Sequence, residues 1–554
     1  MGGAGRRYDL AVLKFAILCA AGVCGFSENA NAQYAVVGPP APGGGPYVGT
    51  PYVGAPYASA PYNNNANLTP SRSAPTPNAT NFRINTGVTV GETYNDNVNL
   101  APNGAARSDF VTTVQPNLTA AGQGARVNFG LTYDPELLYY AKGTAPTRVQ
   151  QFLQGAGNAE IYPEILYTDA YASVTQGYLN GAGPISTSTT SSNSNLQTVQ
   201  NYSVSPYLRH HFGSYADSES RYRFTSVIVG GDTVAPVQIH EARQLVTSGD
   251  YFSRLGWTLT GDATWYDRGE APADPASNIS STDKYGRADL KYLIYEGLSA
   301  LAGVGYETLH DPTLLEQPKG VIWDGGFQYQ PTPYANVSFT YGRRFRNTDY
   351  EFNGEYDIGP SLKVLSSYTQ TYQTGLTLVA ANGSQLTVNQ NGQVINSQTG
   401  LPVTNSPFGI ATSSPFGISN QAFFDKRFQT TVLATRGRNT YSVTGFEDQA
   451  SGAAVSSGVS GTNGSARTYG GGVDWTRQLW PNLASNLGGQ YNDITYQDGS
   501  GRRDTLYIIN AGLTYTFSPT LTGQLYFSRF SRQSNIALDS LDNDILTVSL
   551  QKQF

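Results

Sequence analysis

Residues 254–266 read Arg254-Leu255-Gly256-Trp257-Thr258-Leu259-Thr260-Gly261-Asp262-Ala263-Thr264-Trp265-Tyr266. Leu255, Trp257, Leu259, Ala263 and Trp265 fall on one side of a two-residue period, and Arg254, Thr258, Thr260, Asp262 and Tyr266 on the other. Side chains of an extended strand point alternately to opposite faces, so this segment divides an apolar environment from a polar one. Farther along, Ala288, Leu290, Tyr292 and Ile294 oppose Arg287, Asp289 and Lys291. The pattern begins with Phe82, Ile84, Val88, Val90 and Tyr94, which oppose Arg83, Asn85, Thr89 and Thr93.

The links between these segments alternate in length. Short ones occur at Gly213-Ser214, near Gly249-Asp250, at Tyr295-Glu296-Gly297, around Pro331-Thr332-Pro333 and at Gly359-Pro360. Others fall at Arg436-Gly437, around Trp480-Pro481-Asn482 and at Ser518-Pro519-Thr520. Between them lie mostly longer polar links: 95–108, 177–198, 268–282, 375–422, 449–465, 497–503 and 533–542. Short turns on one side of a bilayer and long loops on the other are the pattern of a transmembrane barrel. The expected fold is all-β: an antiparallel transmembrane β-barrel of about 22 strands, within a range of 16–22. The least regular expected strands are 149–165, 170–178 and 349–358. An even number returns both termini to the periplasmic side. A soluble propeller is disfavoured, because its blades would repeat and these strands do not.

Composition agrees. Tyr outnumbers Phe, 38 to 23, and only 13% of residues are charged. Tyr suits an interface that is apolar at one end and wet at the other. A net charge of -6 over 554 residues gives no reason to expect a nucleic-acid partner. No stretch beyond the N-terminus is apolar for about 18 residues, which excludes an α-helical membrane protein.

Residues 1–32 have the form of a secretory signal. Arg6, Arg7 and Lys14 precede the short apolar run Phe15–Phe26, and Ala30-Asn31-Ala32 is an A-x-A cleavage site. Ala30 and Ala32 are the expected cleavage determinants, and export through the Sec route is expected. Cys19 and Cys24, the two cysteines, both lie inside this segment, so no disulfide scaffold remains after cleavage. From Gln33 to about Asn81 the chain is rich in Pro, Gly, Tyr and Asn, with a five-residue period through Pro46-Tyr47, Pro51-Tyr52, Pro56-Tyr57 and Pro61-Tyr62. Regularly spaced Pro favours extended, solvated chain, so 33–81 is expected to be a disordered periplasmic arm and 82–554 the barrel.

The last segment, Asp544–Phe554, again has period two, with Leu546, Val548, Leu550 and Phe554 opposing Thr547, Ser549, Gln551 and Gln553. A terminal Phe on such a strand resembles the signal that the outer-membrane assembly machinery recognises, and Leu546, Val548, Leu550 and Phe554 are its expected determinants. Lys552 stands where many such signals carry an aromatic, and its stem can carry the ammonium out to the head groups.

Several further segments carry a family resemblance: Tyr94-Asn95-Asp96-Asn97, Tyr202–Gly213, Trp323–Pro331, Tyr341-Gly342-Arg343-Arg344-Phe345, Asp425-Lys426-Arg427 and Arg438-Asn439-Thr440. Together they resemble the "putative β-barrel porin 2" group of outer-membrane proteins over most of residues 82–554. The resemblance implies a barrel in the outer membrane of a Gram-negative bacterium. Some members accompany exopolysaccharide or exosortase-type loci, so it also implies passage of polysaccharide. It implies no catalytic residues.

The residues themselves offer little chemistry. His210 and His211 are adjacent on a strand and point to opposite faces, so they cannot share a metal there, and no G-x-S-x-G elbow is present. Asp539, Asp542, Asn543 and Asp544 match no calcium-loop spacing. No enzyme, metal or cofactor is expected. The polar faces matter more. Arg209, Asp217, Glu219, Arg221, Arg223, Arg254, Asp262, Arg287, Asp289 and Lys291 are expected to line the lumen, where rings of charge set selectivity and facing acids and bases can neutralise one another. The 48-residue loop 375–422 has room to fold inward, anchored by the near-repeat Ser406-Pro407-Phe408-Gly409-Ile410 and Ser414-Pro415-Phe416-Gly417-Ile418. The expected function is an outer-membrane channel passing or exporting polysaccharide, with outer-membrane lipid, the assembly machinery and periplasmic export proteins as partners. A general diffusion porin and a structural or adhesive barrel are the alternatives.

Overall fold

The computed structural model describes residues 81–554 apart from 271–278, 313, 315–316, 345–346, 385, 389–393, 397–416, 419–421, 453–464 and 498. The expected signal at 1–32, the arm at 33–81 except Asn81, the first copy of the Ser-Pro-Phe-Gly-Ile near-repeat and Ser414-Pro415-Phe416 of the second lie outside the described residues.

The first strands are β1 (Asn81–Asn95), β2 (Asp109–Gln123), β3 (Val127–Tyr133), β4 (Glu136–Tyr140), β5 (Arg148–Gln150), β6 (Leu153–Tyr162) and β7 (Leu166–Tyr178). Next come β8 (Leu196–His211), β9 (Ala216–Val229), β10 (Val237–Ser248), β11 (Leu255–Arg268), β12 (Ser280–Tyr295) and β13 (Leu298–His310). They are followed by β14 (Lys319–Thr332), β15 (Ala335–Arg344), β16 (Asn347–Ile358) and β17 (Leu362–Thr374). After helix α1 (Gly375–Ser384) and a small hairpin, β18 (Leu386–Val388) and β19 (Val394–Asn396), the wall resumes with β20 (Ala422–Arg436) and β21 (Asn439–Gly452). It ends with β22 (Ser465–Trp480), β23 (Leu483–Tyr496), β24 (Arg503–Ser518), β25 (Leu521–Ser534) and β26 (Leu541–Gln553).

Twenty-four of these segments form one antiparallel sheet in which chain neighbours pair. β3 and β4 are two parts of one crossing, and β5 and β6 of the next, so the wall has 22 strands. The interruption falls at Asp134-Pro135, where proline has no N–H to donate to the ladder. β1 pairs with β2 on one side and with β26 on the other, Val90 opposite Leu550 and Tyr94 opposite Leu546, which closes the sheet.

One end of the barrel carries the short turns. Asn81 starts there, and the Phe554 amide donates to the Thr86 carbonyl at 2.9 Å. Gly297 and Gly437 sit in two-residue turns with φ of +83° and +59°, a conformation that favours glycine. The 163–165 turn ends β6 before the expected boundary of 165, and β7 starts four residues earlier than expected, at Leu166. There Glu164 takes a left-handed φ of +62° and its amide donates to Glu160 Oε1. The longer links gather at the opposite, loop end.

The two faces of the wall differ as the sequence period demands. Leu259, Leu290, Val304, Val443, Val473, Leu487, Ile509, Leu525 and Val548 lie outward and are exposed. A continuous belt of this kind far exceeds what a soluble monomer leaves in water, so hydrocarbon must cover it. Aromatic pairs rim both edges. Tyr94–Phe110 and Tyr491–Tyr507, 5.3 and 5.4 Å between centroids, stand toward the loop end. Tyr215–Tyr251 and Tyr515–Phe517, 5.2 and 4.8 Å, stand at the turn end. Lys552 also lies at that edge, donating to the Thr520 hydroxyl at 2.7 Å.

Val548 lies midway along β26 on the outward face. Val548→Arg should destabilise the folded barrel by about 2–4 kcal/mol, the cost of a cation at the bilayer midplane. Urea unfolding in lipid, followed by heat-modifiable gel migration, measures it; an unchanged midpoint would mean that Val548 does not face hydrocarbon.

Candidate functional site

The inward positions of β8–β16 hold most of the expected lumen residues. Arg209 stands on β8, Asp217, Glu219, Arg221 and Arg223 on β9, Asp262 on β11, and Arg287, Asp289 and Lys291 on β12. They share the face of the buried Ser203, Ser205, Thr225 and Thr264, opposite the exposed Tyr202, Tyr222, Trp265 and Leu290. Arg254 stands elsewhere: it is exposed in the 249–254 turn at the mouth of the wall, because β11 starts one residue later.

The structure brings these charges together as pairs. Glu219 accepts from Arg209 Nε at 3.0 Å and from Arg221 Nε at 2.8 Å. Arg221 also reaches Asp169 at 2.7 Å, and Arg223 reaches Glu241 at 3.2 Å. Arg287 is held between Asp289 and Asp324, His211 meets Asp217, and Asp262 accepts from the Thr264 hydroxyl at 2.9 Å. Arg221 and Arg209 also lie over the Tyr207 ring at 3.9 and 5.0 Å, and that ring stacks on Tyr167. Sequence reasoning missed the partners Asp169, Glu241 and Asp324, and the pairs Arg344–Glu307, Arg268–Asp311 and Arg427–Asp448. Cross-strand register makes these pairs: Arg223 lies directly opposite Glu241, and no spacing along one strand reveals that.

Two loops enter the lumen from the loop end. The first follows β17. Thr374 Oγ1 accepts from the Thr377 amide at 3.1 Å while Thr377 Oγ1 accepts from the Thr374 amide at 2.8 Å, a reciprocal cap that starts α1. The helix packs Leu376, Val379 and Ala380 on the inward Val199, Val227, Val229, Val237 and Ile239 of β8–β10, across the barrel from where it starts. Its carbonyls are tied to the same wall, Val379 O by Asn201 Nδ2 at 2.7 Å and Ala380 O by the Tyr171 hydroxyl at 3.0 Å. Of the loop 375–422, the described helix α1 and Ile418 therefore lie inward.

The second loop, 179–195, follows β7. Its segment Ile185–Ser192 is nearly all buried. Ile185 enters an apolar cluster with Leu506, Ile508 and Phe530. The hydroxyls and carbonyls are held by the wall: Thr190 Oγ1 by Asn95 at 3.1 Å, Thr190 O by the Tyr140 hydroxyl at 3.0 Å, Ser191 O by Arg148 at 2.6 Å, and Thr187 by Ser528 at 2.8 Å. Arg502 and Arg532 both reach Ala182 O. The two loops meet where the Ile418 amide donates to Leu179 O at 2.7 Å. Gly417, in the second near-repeat, has φ +68°, and a Cβ there would overlap that same carbonyl.

Leu546, Val548 and Leu550 lie outward on β26, and Phe554 follows it at the turn end, also exposed. His210 meets Phe212 edge-on, on the face opposite His211. Asp542, Asn543 and Asp544 belong to β26 rather than to a loop. Asn543 points inward to Asn95 and Asp544 outward to Arg529.

Over residues 438–554 the chain matches the family described as "Putative beta-barrel porin 2", the resemblance expected from the sequence. No curated protein matches the chain. Among solved structures it is similar to the siderophore receptor PirA from Pseudomonas aeruginosa, at 11% identity over 86% of this chain and 81% of that one, TM-score 0.40. It is also similar to the FrpB iron transporter from Neisseria meningitidis, at 10% identity over 85% and 81%, TM-score 0.45. OpdK from Pseudomonas aeruginosa, solved with vanillate, covers 85% of this chain and 99% of its own, at 10% identity and TM-score 0.33.

Val379→Asp would place a carboxylate without a partner in the apolar contact of α1, at a cost of several kcal/mol. The helix should leave the wall and single-channel conductance in planar bilayers should rise. Gly417→Val should act in the same direction. Unchanged conductance in both variants would remove the two loops as the constriction.

Proposed function

We propose that this outer-membrane barrel is a channel that passes polysaccharide, narrowed by its own inward loops. The observation that carries the reading is the lining. The buried polar residues of the lumen are largely hydroxyls and amides, among them Asn201, Ser203, Thr225, Gln429, Thr444 and Asn492. Half of the expected lumen charges are paired with one another, and Arg223 and Asp217 are paired with Glu241 and His211. Such a surface exchanges hydrogen bonds with an uncharged hydrophilic solute and does not sort ions strongly. A barrel of 22 strands is also wide. Barrels of about 16–18 strands already leave an aqueous channel, so here the loops and not the wall set the aperture.

In this reading the loop end faces outward from a Gram-negative cell and the turn end faces the periplasm. The chain is exported by the Sec route, cleaved after Ala32 and inserted by the barrel assembly machinery through the β26 signal. The arm 33–81 then lies on the side of periplasmic export proteins. The chemistry is binding and passage, with no bond made or broken.

The inward helix favours one other reading. A lumen crossed by α1 suits a general diffusion porin that admits only small solutes. Deleting the gene separates the two. For a polysaccharide channel, the deletion strain should lose surface polymer. Normal surface polymer in the deletion strain would overturn the export reading and leave the porin.

A further inference from the structure

The lumen has two unlike arcs. From β8 to β16 the inward face carries Arg209, Glu219, Arg221, Asp262, Arg287, Glu307 and further charges. From β23 through β26 to β1 and β2, inward positions hold Asn, Gln, Ser, Thr, Gly, Tyr and a few aliphatics through the middle of the wall. Charges return on that arc only at the rims, as Asp504, Arg532 and Asp109 at the loop end and Arg83 at the turn end. We infer that this uncharged arc is the contact track for neutral sugar rings, an assignment that rests on the polysaccharide reading above.

Three buried groups make up the track. Asn510 Nδ2 and Gln551 Oε1 have no hydrogen-bond partner within the wall, although the residues are only 3% and 8% exposed. The Tyr526 hydroxyl, on a residue 7% exposed, lies beside the Ser528 hydroxyl. Buried polar atoms are nearly always satisfied, so the two unpartnered ones ask for a partner from outside the wall. Their chemistry is mixed. One is a donor, one is an acceptor, and the phenol is both. An anion would require donors and a cation acceptors, whereas a sugar hydroxyl serves all three. Tyr526 adds a ring face suited to stacking on a pyranose.

Their spacing makes a track and not a single pocket. Asn510 lies opposite Ser528, two residues toward the loop end from Tyr526. Tyr526 lies opposite Thr547, four residues toward the loop end from Gln551. At about 3.3 Å per residue the three groups extend over roughly 20 Å along the strands, room for several rings. The glycines keep the surface recessed: a Cβ at Gly488 would stand 2.7 Å from the Asn510 amide, and one at Gly512 would collide with Asn486.

The test uses the full chain in planar bilayers with two probes, neutral maltohexaose and acidic hexagalacturonate. Maltohexaose should interrupt the current with resolvable dwell times and hexagalacturonate should do so less. The triple variant Asn510→Ala, Tyr526→Phe, Gln551→Ala should shorten the maltohexaose dwell at least about tenfold, the loss of three modest hydrogen bonds. If the triple variant does not reach the heat-modifiable folded form, Tyr526→Phe alone, which removes one oxygen, should shorten it about threefold. Unchanged dwell times in the folded variant would overturn the track while leaving polysaccharide passage standing. No interruption of the wild-type current by maltohexaose would overturn the polysaccharide reading itself. Longer dwell for hexagalacturonate would overturn the neutral assignment.

Discussion

A backbone amide inside hydrocarbon has no water to turn to, and this requirement shapes the molecule. Every strand of the wall must be paired on both edges, so the sheet cannot have a free edge. The contact that meets the requirement is the seam between β1 and β26, nine residues on each side from Gly87–Asn95 against Ile545–Gln553. The first and last strands of the wall must be adjacent and antiparallel, and in an up-and-down barrel that makes the strand number even. The rest follows. The outward face is constrained to be apolar and the turns at one end can be as short as two residues.

The inward face is free of that constraint, and the protein uses the freedom unevenly. Ion pairs such as Arg209–Glu219–Arg221 crowd one arc, at side-chain exposures of 25%, 12% and 14%. Partly solvated pairs of this kind contribute about 0–1 kcal/mol each, so they do little to hold the wall together. Their effect is local: they cancel the field that isolated arginines would project into the lumen. At the loop end the inward face turns apolar, through Val227, Val229, Val237 and Ile239 on one side and Leu506, Ile508 and Phe530 on the other. Those patches do not face solute. They are seats for the two loops.

The sequence made the barrel legible because one rule, period two with one lipid face, is enforced on every strand. Even the weakest stretches, 149–165 and 349–358, proved to be strands, with boundaries moved by the Pro163–Ile165 turn and the Asp134-Pro135 break. The lumen was legible one strand at a time. Asp217, Glu219, Arg221 and Arg223 are recognisable as one face from their spacing, but Asp169 and Glu241 become their partners only through register. Arg254 shows the limit of the parity rule: its carbonyl still accepts from the Leu293 amide, but its side chain is exposed at the rim. The helix α1 has a signal of its own in the sequence. Leu376, Val379 and Ala380 follow helical spacing after a Thr374/Thr377 cap, and the stretch Val227-Ile228-Val229 breaks alternation where the helix docks. Two-residue periodicity fails there because a third environment, protein, replaces both lipid and water.

The hydrogen bond from the Ile418 amide to Leu179 O has a consequence for how the channel behaves over time. It joins segments almost 240 residues apart, one leaving β7 and the other returning to β20. If either loop departs alone, the other keeps a backbone group with no partner in a closely packed place. Withdrawal of one therefore weakens the seat of the other by the same free energy, whichever moves first. The two inward segments thus keep or leave their seats together.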